Sequence, residues 1–390
     1  MDKAQKSKVA VVACENYDDE KVYAAVREGI GLLGGIGAFF GRDESILLKP
    51  NLLRKAEPSQ AVTTHPAVFA AAARLLREEG FDKLLYGDSP GSIHAPSKVA
   101  EAAGIAAAAA RYDVAEGDFS GGVTDGFPGG KAVKSFELCA AAAQADAILN
   151  LCKMKTHASM RLTGAVKNMY GCVFGFNKGA GHARYPDPNS FGKMLVDLNL
   201  LLKPRLSVMD GIVAMEGNGP GSGDPVPMKV LLFSADPVAL DTVFCHMVNV
   251  DPATLPTNVY GEIYGLGFSD TDAIEIVDGS GVLSIEQMRS KYGYAAFRVN
   301  RGALKANIPG AKGRRPVIVK DRCVRCGACV TACPVEPKAL AFDKAKGAVP
   351  QYDYNLCIRC YCCQEMCPEK AIRVKTPLPL ALLDKVRLRR

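Results

Sequence analysis

Nine of the fourteen cysteines fall between Cys323 and Cys367, and eight of those nine follow one spacing twice. The first copy reads DRCVRCGACVTACP, with Cys323, Cys326, Cys329 and Cys333 followed by Pro334. The second reads NLCIRCYCCQEMCP, with Cys357, Cys360, Cys363 and Cys367 followed by Pro368. Both fit C-x2-C-x2-C-x3-C-P. Three thiolates two residues apart wrap one loop around three irons of a cubane, and the fourth, at the start of a helix, reaches across to a second cubane. The spacing therefore predicts two 4Fe–4S clusters with crossed ligands. Cys323, Cys326, Cys329 and Cys367 would hold one, and Cys357, Cys360, Cys363 and Cys333 the other. Structural zinc takes four ligands from separated C-x2-C pairs, a pattern these eight do not follow. Gly327 suits the turn between the second and third cysteines. Cys362 stands outside the pattern and reads as a packing residue.

A second set of chemically capable residues lies upstream, in Leu149–Gly181 (LNLCKMKTHASMRLTGAVKNMYGCVFGFNKGAG). Lys153, Lys155, His157, Lys167 and Asn168 cluster beyond the predicted end of a strand. Lys49 and Asn51 in LLKPN, His65 after Thr63 and Thr64, Asp88 and Ser89 in GDSPG, and Asp210 in MDG occupy comparable places. In open α/β sheets ligands bind at the carboxyl ends of strands. Three lysines gathered there favour an anionic ligand such as a carboxylate or phosphate. Lys155 and His157 are the catalytic candidates, His157 because its charge changes near neutral pH. Lys49, Asn51, His65, Asp88, Ser89, Lys153, Lys167, Asn168 and Asp210 are the substrate-binding candidates. Blander roles exist for each: a solvated lysine, a helix cap at Thr64 or His65, a turn at Asp210–Gly211. A metal site from His65, His157, Asp88 and Asp210 is a further alternative. Cys152 and Cys172 flank the region and read as buried apolar cysteines, with a reactive thiol or a third-cluster ligand as the alternatives.

These residues need a scaffold, and the first 300 residues supply one. Lys8–Ala13, Ile46–Lys49, Lys83–Tyr86, Ala147–Leu151, Leu206–Met209 and Lys229–Phe233 read as strands. Asp19–Leu33, Pro66–Glu79 and Pro237–Val248 read as helices. Such alternation predicts an α/β fold, a mostly parallel sheet with helices on both faces. Gly217–Gly223 (GNGPGSG) reads as a tight loop, and Gly171–Gly181 as a stretch able to close over a ligand. Arg301–Pro316, basic and without apolar periodicity, reads as a linker. Residues 317–376 would then form a small α+β domain for the clusters. Pro377–Arg390 reads as a short basic amphipathic tail, with Leu380, Leu383 and Leu388 among Lys385, Arg387, Arg389 and Arg390, packed on the body or docked to an acidic partner or membrane surface.

Charge and motifs narrow the function. From Val317 onward there are 14 Lys and Arg against 7 Asp and Glu, which leaves 34 of each before it, out of totals of 48 and 41. The whole net charge of +7 sits on the cysteine-rich end. A 4Fe–4S cluster with its four thiolates carries roughly −2 when oxidised, so the excess reads as compensation for the clusters. A nucleic-acid footprint would interleave basic residues with aromatics, and this segment has few. No G-x4-GK[ST] loop, G-x-G-x-x-G turn, serine elbow or zinc-protease motif occurs. No apolar run approaches a membrane span and no signal peptide is visible, which leads to the expectation of a cytoplasmic protein.

The cysteine module resembles the bacterial two-cluster ferredoxins. The upstream pattern resembles the family called domain of unknown function 362. That likeness runs through LLKPNLL, TTHPAVF, GDSPG, KMKTH, TGAVKN and MDGI to ADPVALD, and members of the family often carry such a module. The family label implies no chemistry. Two functions follow from the residues. One is an iron–sulfur oxidoreductase that passes electrons through the clusters to an anionic small molecule in the α/β domain. The other is an electron carrier or docking subunit for a partner redox protein. A concave crevice beside a cluster favours the enzyme. No flavin signature is present, and many flavin sites have none.

Overall fold

The computed structural model describes residues 6–91, 94–175, 177–300, 313–342 and 349–377. The strands of the first 300 residues are β1 (Ser7–Ala13), β2 (Ile46–Pro50), β3 (Leu84–Tyr86), β4 (Ala115–Glu116), β5 (Gly122–Gly126), β6 (Ser135–Cys139), β7 (Ala147–His157), β8 (Arg161–Thr163), β9 (Leu206–Glu216), β10 (Asp224–Val226), β11 (Val230–Ser234), β12 (Ile274–Asp278) and β13 (Gly281–Leu283). All but the β5–β6 hairpin join one sheet, ordered β13-β12-β1-β11-β9-β7-β2-β3-β4, with β10 on β9 and β8 on β7. Strands β12, β1, β9, β7, β2, β3 and β4 run the same way, and β11 lies antiparallel between β1 and β9. The sheet is thus mostly parallel.

Its central strands are covered on both faces, which is why they read as near-continuous apolar runs. Helices Asp19–Leu32 and Pro66–Glu78 close one face, packing Val26, Ile30, Phe69 and Leu76 on Ile46, Leu48 and Leu149. Asp18 caps the first through the Lys21 amide, and His65 caps the second, with Pro66 in its first turn. Helices Pro188–Leu202, Pro237–Met247 and Pro256–Tyr264 lie on the other face.

Strands β7 and β9 extend far past the ends expected at Leu151 and Met209, to eleven residues each. Lys153, Lys155 and His157 therefore lie within a strand rather than beyond one. Period-two alternation puts them on the face opposite Cys152 and Met154, which pack into the core beside Met209. The lengthening has a cause: β7 pairs with β9 and β8 along this stretch, so its polar residues are drawn inside with partners.

In the cysteine module, β14 (Arg315–Ile318) pairs with β17 (Ile372–Lys375), and β15 (Leu340–Ala341) with β16 (Gln351–Tyr352). Arg315 and Pro316, expected in a linker, belong to β14; residues 301–312 of that segment and 378–390 of the tail lie outside the described residues. The Gly217–Gly223 loop holds the module to the sheet. Gln364 Nε2 donates to the Asn218 carbonyl at 2.6 Å, Asn218 Nδ2 to that of Ile372 at 2.9 Å, and Lys370 Nζ to that of Gly223 at 3.0 Å. A Cβ on Gly221 would stand 2.5 Å from the Glu365 carbonyl oxygen, so the close approach requires glycine there.

Candidate functional site

The two cysteine runs wrap two hollows. Cys323, Cys326, Cys329 and Cys367 line one, and Cys333, Cys357, Cys360 and Cys363 line the other. The grouping is the crossed one. Backbone turns of the left-handed kind at Arg325 and Gly327, and again at Arg359 and Tyr361, curl each loop around its hollow. The remaining lining is largely apolar, with Ile318, Ala371 and Ile372 in the first and Ala339, Leu340 and Ile358 in the second. The Ala371 amide donates to Cys367 Sγ at 3.3 Å, and the Tyr352 hydroxyl lies 3.2 Å from Cys363 Sγ. Among the described residues no three His, Cys, Asp or Glu converge on a point suited to a single metal ion. Thiols spread around a hollow suit a cubane better than zinc.

The upstream residues divide into two groups. The first surrounds Asp210, at the level of β7 and β9. Lys153 Nζ donates to Asp210 Oδ2 at 2.7 Å and to the Tyr17 hydroxyl at 2.9 Å. Tyr17 donates to Asp210 Oδ1 at 2.8 Å, and the His65 amide to Oδ2 at 2.9 Å. The His65 ring stacks on Tyr17 at 3.5 Å, and its Nδ1 accepts from the Ala67 amide at 3.2 Å. Burial lowers the His65 pKa to about 4, with Asp210 opposing. Every strong group here is matched within the protein, so Lys153, His65 and Asp210 form a structural network.

The second group sits where the carboxyl ends of β2 and β7 meet the cysteine module. Lys49 Nζ pairs with Asp88 Oδ1 at 3.0 Å and donates to the Pro50 carbonyl at 2.8 Å. Asp88 Oδ2 accepts from the Leu52 amide at 2.5 Å. Lys155 Nζ donates to Asn51 Oδ1 at 2.6 Å and to the Val62 carbonyl at 2.7 Å; burial holds its pKa well below the usual lysine value. Asn51 Nδ2 donates to Asn168 Oδ1 at 3.0 Å, and Asn168 Nδ2 to Asn150 Oδ1 at 2.7 Å. His157 Nδ1 accepts from the Ser159 and Met160 amides, which leaves its proton on Nε2, 2.9 Å from Glu365 Oε1. Burial lowers the His157 pKa to about 4. The four groups of the alternative metal site are thus spent on different partners.

Between the sheet edge and the module lies a cavity of about 790 Å³. Asn51, Asp88, Ser89, Lys167 and Asn168 line it from the α/β side, and Cys333, Cys362, Glu365 and Met366 from the module. Lys49, Lys153, Lys155, His157, His65 and Asp210 do not line it. Of the three lysines expected to hold an anion only Lys167 lines the cavity, and His157 stands behind Glu365. Lys167 lies on a short helix, Ala165–Asn168, whose first amides are held by Asp241 at 2.6 and 3.2 Å. Its ammonium has no hydrogen-bond partner among the described residues, and burial lowers its pKa, with Glu365 and Cys362 opposing. The Gly171–Gly181 stretch is largely helical, with turns at Met169–Cys172 and Asn177–Arg184; Gly175, Ala180 and His182 contribute to the wall. Gly171 packs so closely that a Cβ would stand 1.7 Å from Asp88 Oδ1. Cys152 and Cys172 are buried in the apolar cores.

Sequence reasoning missed Glu365, Arg54 and the docking role of the glycine loop. Glu365 sits in the x3 gap of a cysteine motif, where nothing distinguishes it from a solvated spacer. Arg54 is 6% exposed and donates to the Lys55 and Gly221 carbonyls. Among the described residues no helix is long and apolar enough to cross a membrane.

Comparison with known proteins matches residues 46–246 to the domain of unknown function DUF362 and residues 322–371 to the 4Fe-4S dicluster domain. The thylakoid-associated protein sll1697 of Synechocystis sp. is 38% identical over 261 residues, which is 66% of this chain and 79% of that protein. Two solved structures are weakly similar to the chain. The lactate racemase apoprotein of Thermoanaerobacterium thermosaccharolyticum has a TM-score of 0.39 and 11% identity over 64% of this chain and 58% of its own. A Thermotoga maritima protein has a TM-score of 0.36 and 12% identity over 66% of this chain and 61% of its own. The dicluster match makes this an iron–sulfur protein of electron transfer, and the chain belongs to the DUF362 family, with a 4Fe–4S dicluster domain following in the same chain.

Proposed function

We propose that the chain is an oxidoreductase that passes electrons through two 4Fe–4S clusters to an anionic small molecule held between the module and the sheet edge. The observation that carries this reading is the cavity whose wall is shared by Cys333, a cysteine of the second hollow, and by Lys167, Asn168 and Asp88 at the carboxyl edge of the sheet. When bound, the clusters supply one-electron transfer at low potential. The chain's own residues do the rest. Lys167 offers an unspent ammonium to the ligand. Asn51, held by Lys155, has a side-chain N–H left for the ligand, and Asn168, its amide committed to Lys49, Asn51 and Asn150, holds Asn51 in place. Lys49 neutralises Asp88, so that the wall is not acidic at that point. His157 fixes the Glu365 carboxylate, and its Nε2 holds a proton one residue away from the cavity. In this reading Lys155 and His157 act as positioning residues rather than in direct contact with the ligand.

The test is a thermal-shift panel of carboxylates, sulfonates and phosphates on anaerobically purified protein of verified iron content. The reading expects at least one anion to raise the melting temperature, and Asn51→Leu to remove that rise. If no anion stabilises the protein, the alternative of an electron carrier or docking subunit for a partner redox protein replaces it.

A further inference from the structure

The cavity's lining restricts the kind of molecule it takes, an inference that rests on the functional reading above. Its charged groups are almost all spent. Asp88 is paired with Lys49, and Glu365 faces His157 at 2.9 Å. The terminal nitrogens of Arg54 donate to two carbonyls, and its Nε is buried out of reach of a ligand, without a hydrogen-bond partner among the described residues. Lys338 Nζ donates to the Cys333 carbonyl at 2.7 Å and pairs with Glu336 at 2.9 Å. Lys55 is exposed at the rim. That leaves Lys167 as the partly buried cation of the wall without a hydrogen-bond partner among the described residues. The remaining wall is dominated by apolar groups, among them Leu52, Leu53, Pro90, Phe119, Pro334 and Met366.

One free ammonium answers one anionic group. A volume of about 790 Å³ is far larger than a small polar carboxylate fills and lies in the range of cavities that enclose drug-sized ligands, about 300–1,000 Å³. Multiply charged ligands need several charge-assisted donors, and apart from Lys55 at the rim this wall has committed its others elsewhere. We infer that the cavity takes an amphipathic monoanion: an apolar, ring-sized or longer body carrying a single carboxylate or sulfonate that meets Lys167. Nucleotides, phosphate esters and small di- and tricarboxylates are the wrong class.

Calorimetry on the anaerobic, cluster-loaded protein separates the possibilities with three probes: 2-naphthoate, the uncharged 2-naphthalenemethanol, and adenosine monophosphate. The expected order is naphthoate tightest, the alcohol weaker by about tenfold or more, as for a lost charge-assisted hydrogen bond, and the nucleotide weakest. Lys167→Met should erase the difference between naphthoate and alcohol while leaving binding of the alcohol within about twofold. Leu53→Asn, which keeps Lys167, should weaken both aromatic probes together. Preference for adenosine monophosphate over naphthoate would overturn the inference and leave the anion-binding reading standing. If neither anion binds, both fail. Equal affinity for naphthoate and the alcohol in the wild type would refute the role of Lys167 alone in selecting charge, and with it the monoanion class.

Discussion

Replacing Lys167 by Met should stabilise the ligand-free protein. Most substitutions destabilise, by about 1 kcal/mol on average, so the sign is diagnostic. Lys167 is partly buried, makes no hydrogen bond among the described residues, and has its pKa lowered by burial despite Glu365 nearby. The folded state therefore holds this ammonium at a cost. Met has a similar length, buries without desolvating a charge, and leaves the Asp241 cap of the Ala165–Asn168 helix untouched. Burying a charge without a hydrogen-bond partner costs free energy that an apolar side chain of like volume does not. Because the Glu365 attraction is lost at the same time, about 1–2 kcal/mol is expected here. Anaerobic denaturation of protein matched for iron content measures it. Loss of more than about 1 kcal/mol would mean that Lys167 supports the fold, and the argument for it as the ligand's partner would collapse.

Three further outcomes follow. Gly171→Ala would drive a methyl to 1.7 Å from Asp88 Oδ1 and 2.6 Å from Lys49 Nζ, so chemical denaturation should register about 3–5 kcal/mol of destabilisation, as for a broken buried ion pair; a loss below about 1 kcal/mol would show that the pair relaxes freely. His65 has its folded pKa lowered to about 4 from 6.5, so the unfolded chain takes up the proton first and stability falls as pH drops from about 6.5 to 4. The full shift is worth at most about 3 kcal/mol, and screening of the half-buried ring reduces that to about 1. His65→Asn, which keeps the helix cap, should recover that amount at pH 5 relative to pH 7, and an unchanged pH dependence would exclude His65 as its source. Purified anaerobically, the protein should hold about eight irons, as two cubanes require, and Cys333→Ala should damage the centre built by Cys357, Cys360 and Cys363. Damage confined to the centre of Cys323, Cys326 and Cys329 would mean the ligands are not crossed.

What was legible in the sequence was local. The cysteine spacing is a covalent property of two short loops, and it carries the grouping of thiols around each hollow without reference to the rest of the chain. Strands β2 and β11 and the helix at Pro66 also announce themselves, through an apolar run or a proline-led amphipathic pattern. Strand β7 does not, because Lys153, Lys155 and His157 look solvated until Tyr17, Asp210, Asn51 and Glu365 supply partners from distant segments. Tertiary partners decide whether a lysine marks a surface or an interior. The same holds for the cavity. Its polar floor was visible as residues at strand ends, but its other wall comes from the x3 gap of a cysteine motif and from a glycine loop whose purpose shows only in contact with the module.

The central claim is that the cavity couples its ligand to the cysteine module. The most direct measurement is an electron paramagnetic resonance redox titration of the anaerobic protein with and without saturating 2-naphthoate. Because Cys333 lies in the cavity wall, an anion seated there should make the centre of Cys333, Cys357, Cys360 and Cys363 harder to reduce or alter its signal. The other centre should move less, and Lys167→Met should abolish the effect. If naphthoate binds and leaves both centres unchanged in signal and potential, the cavity is not coupled to the clusters and the account is contradicted.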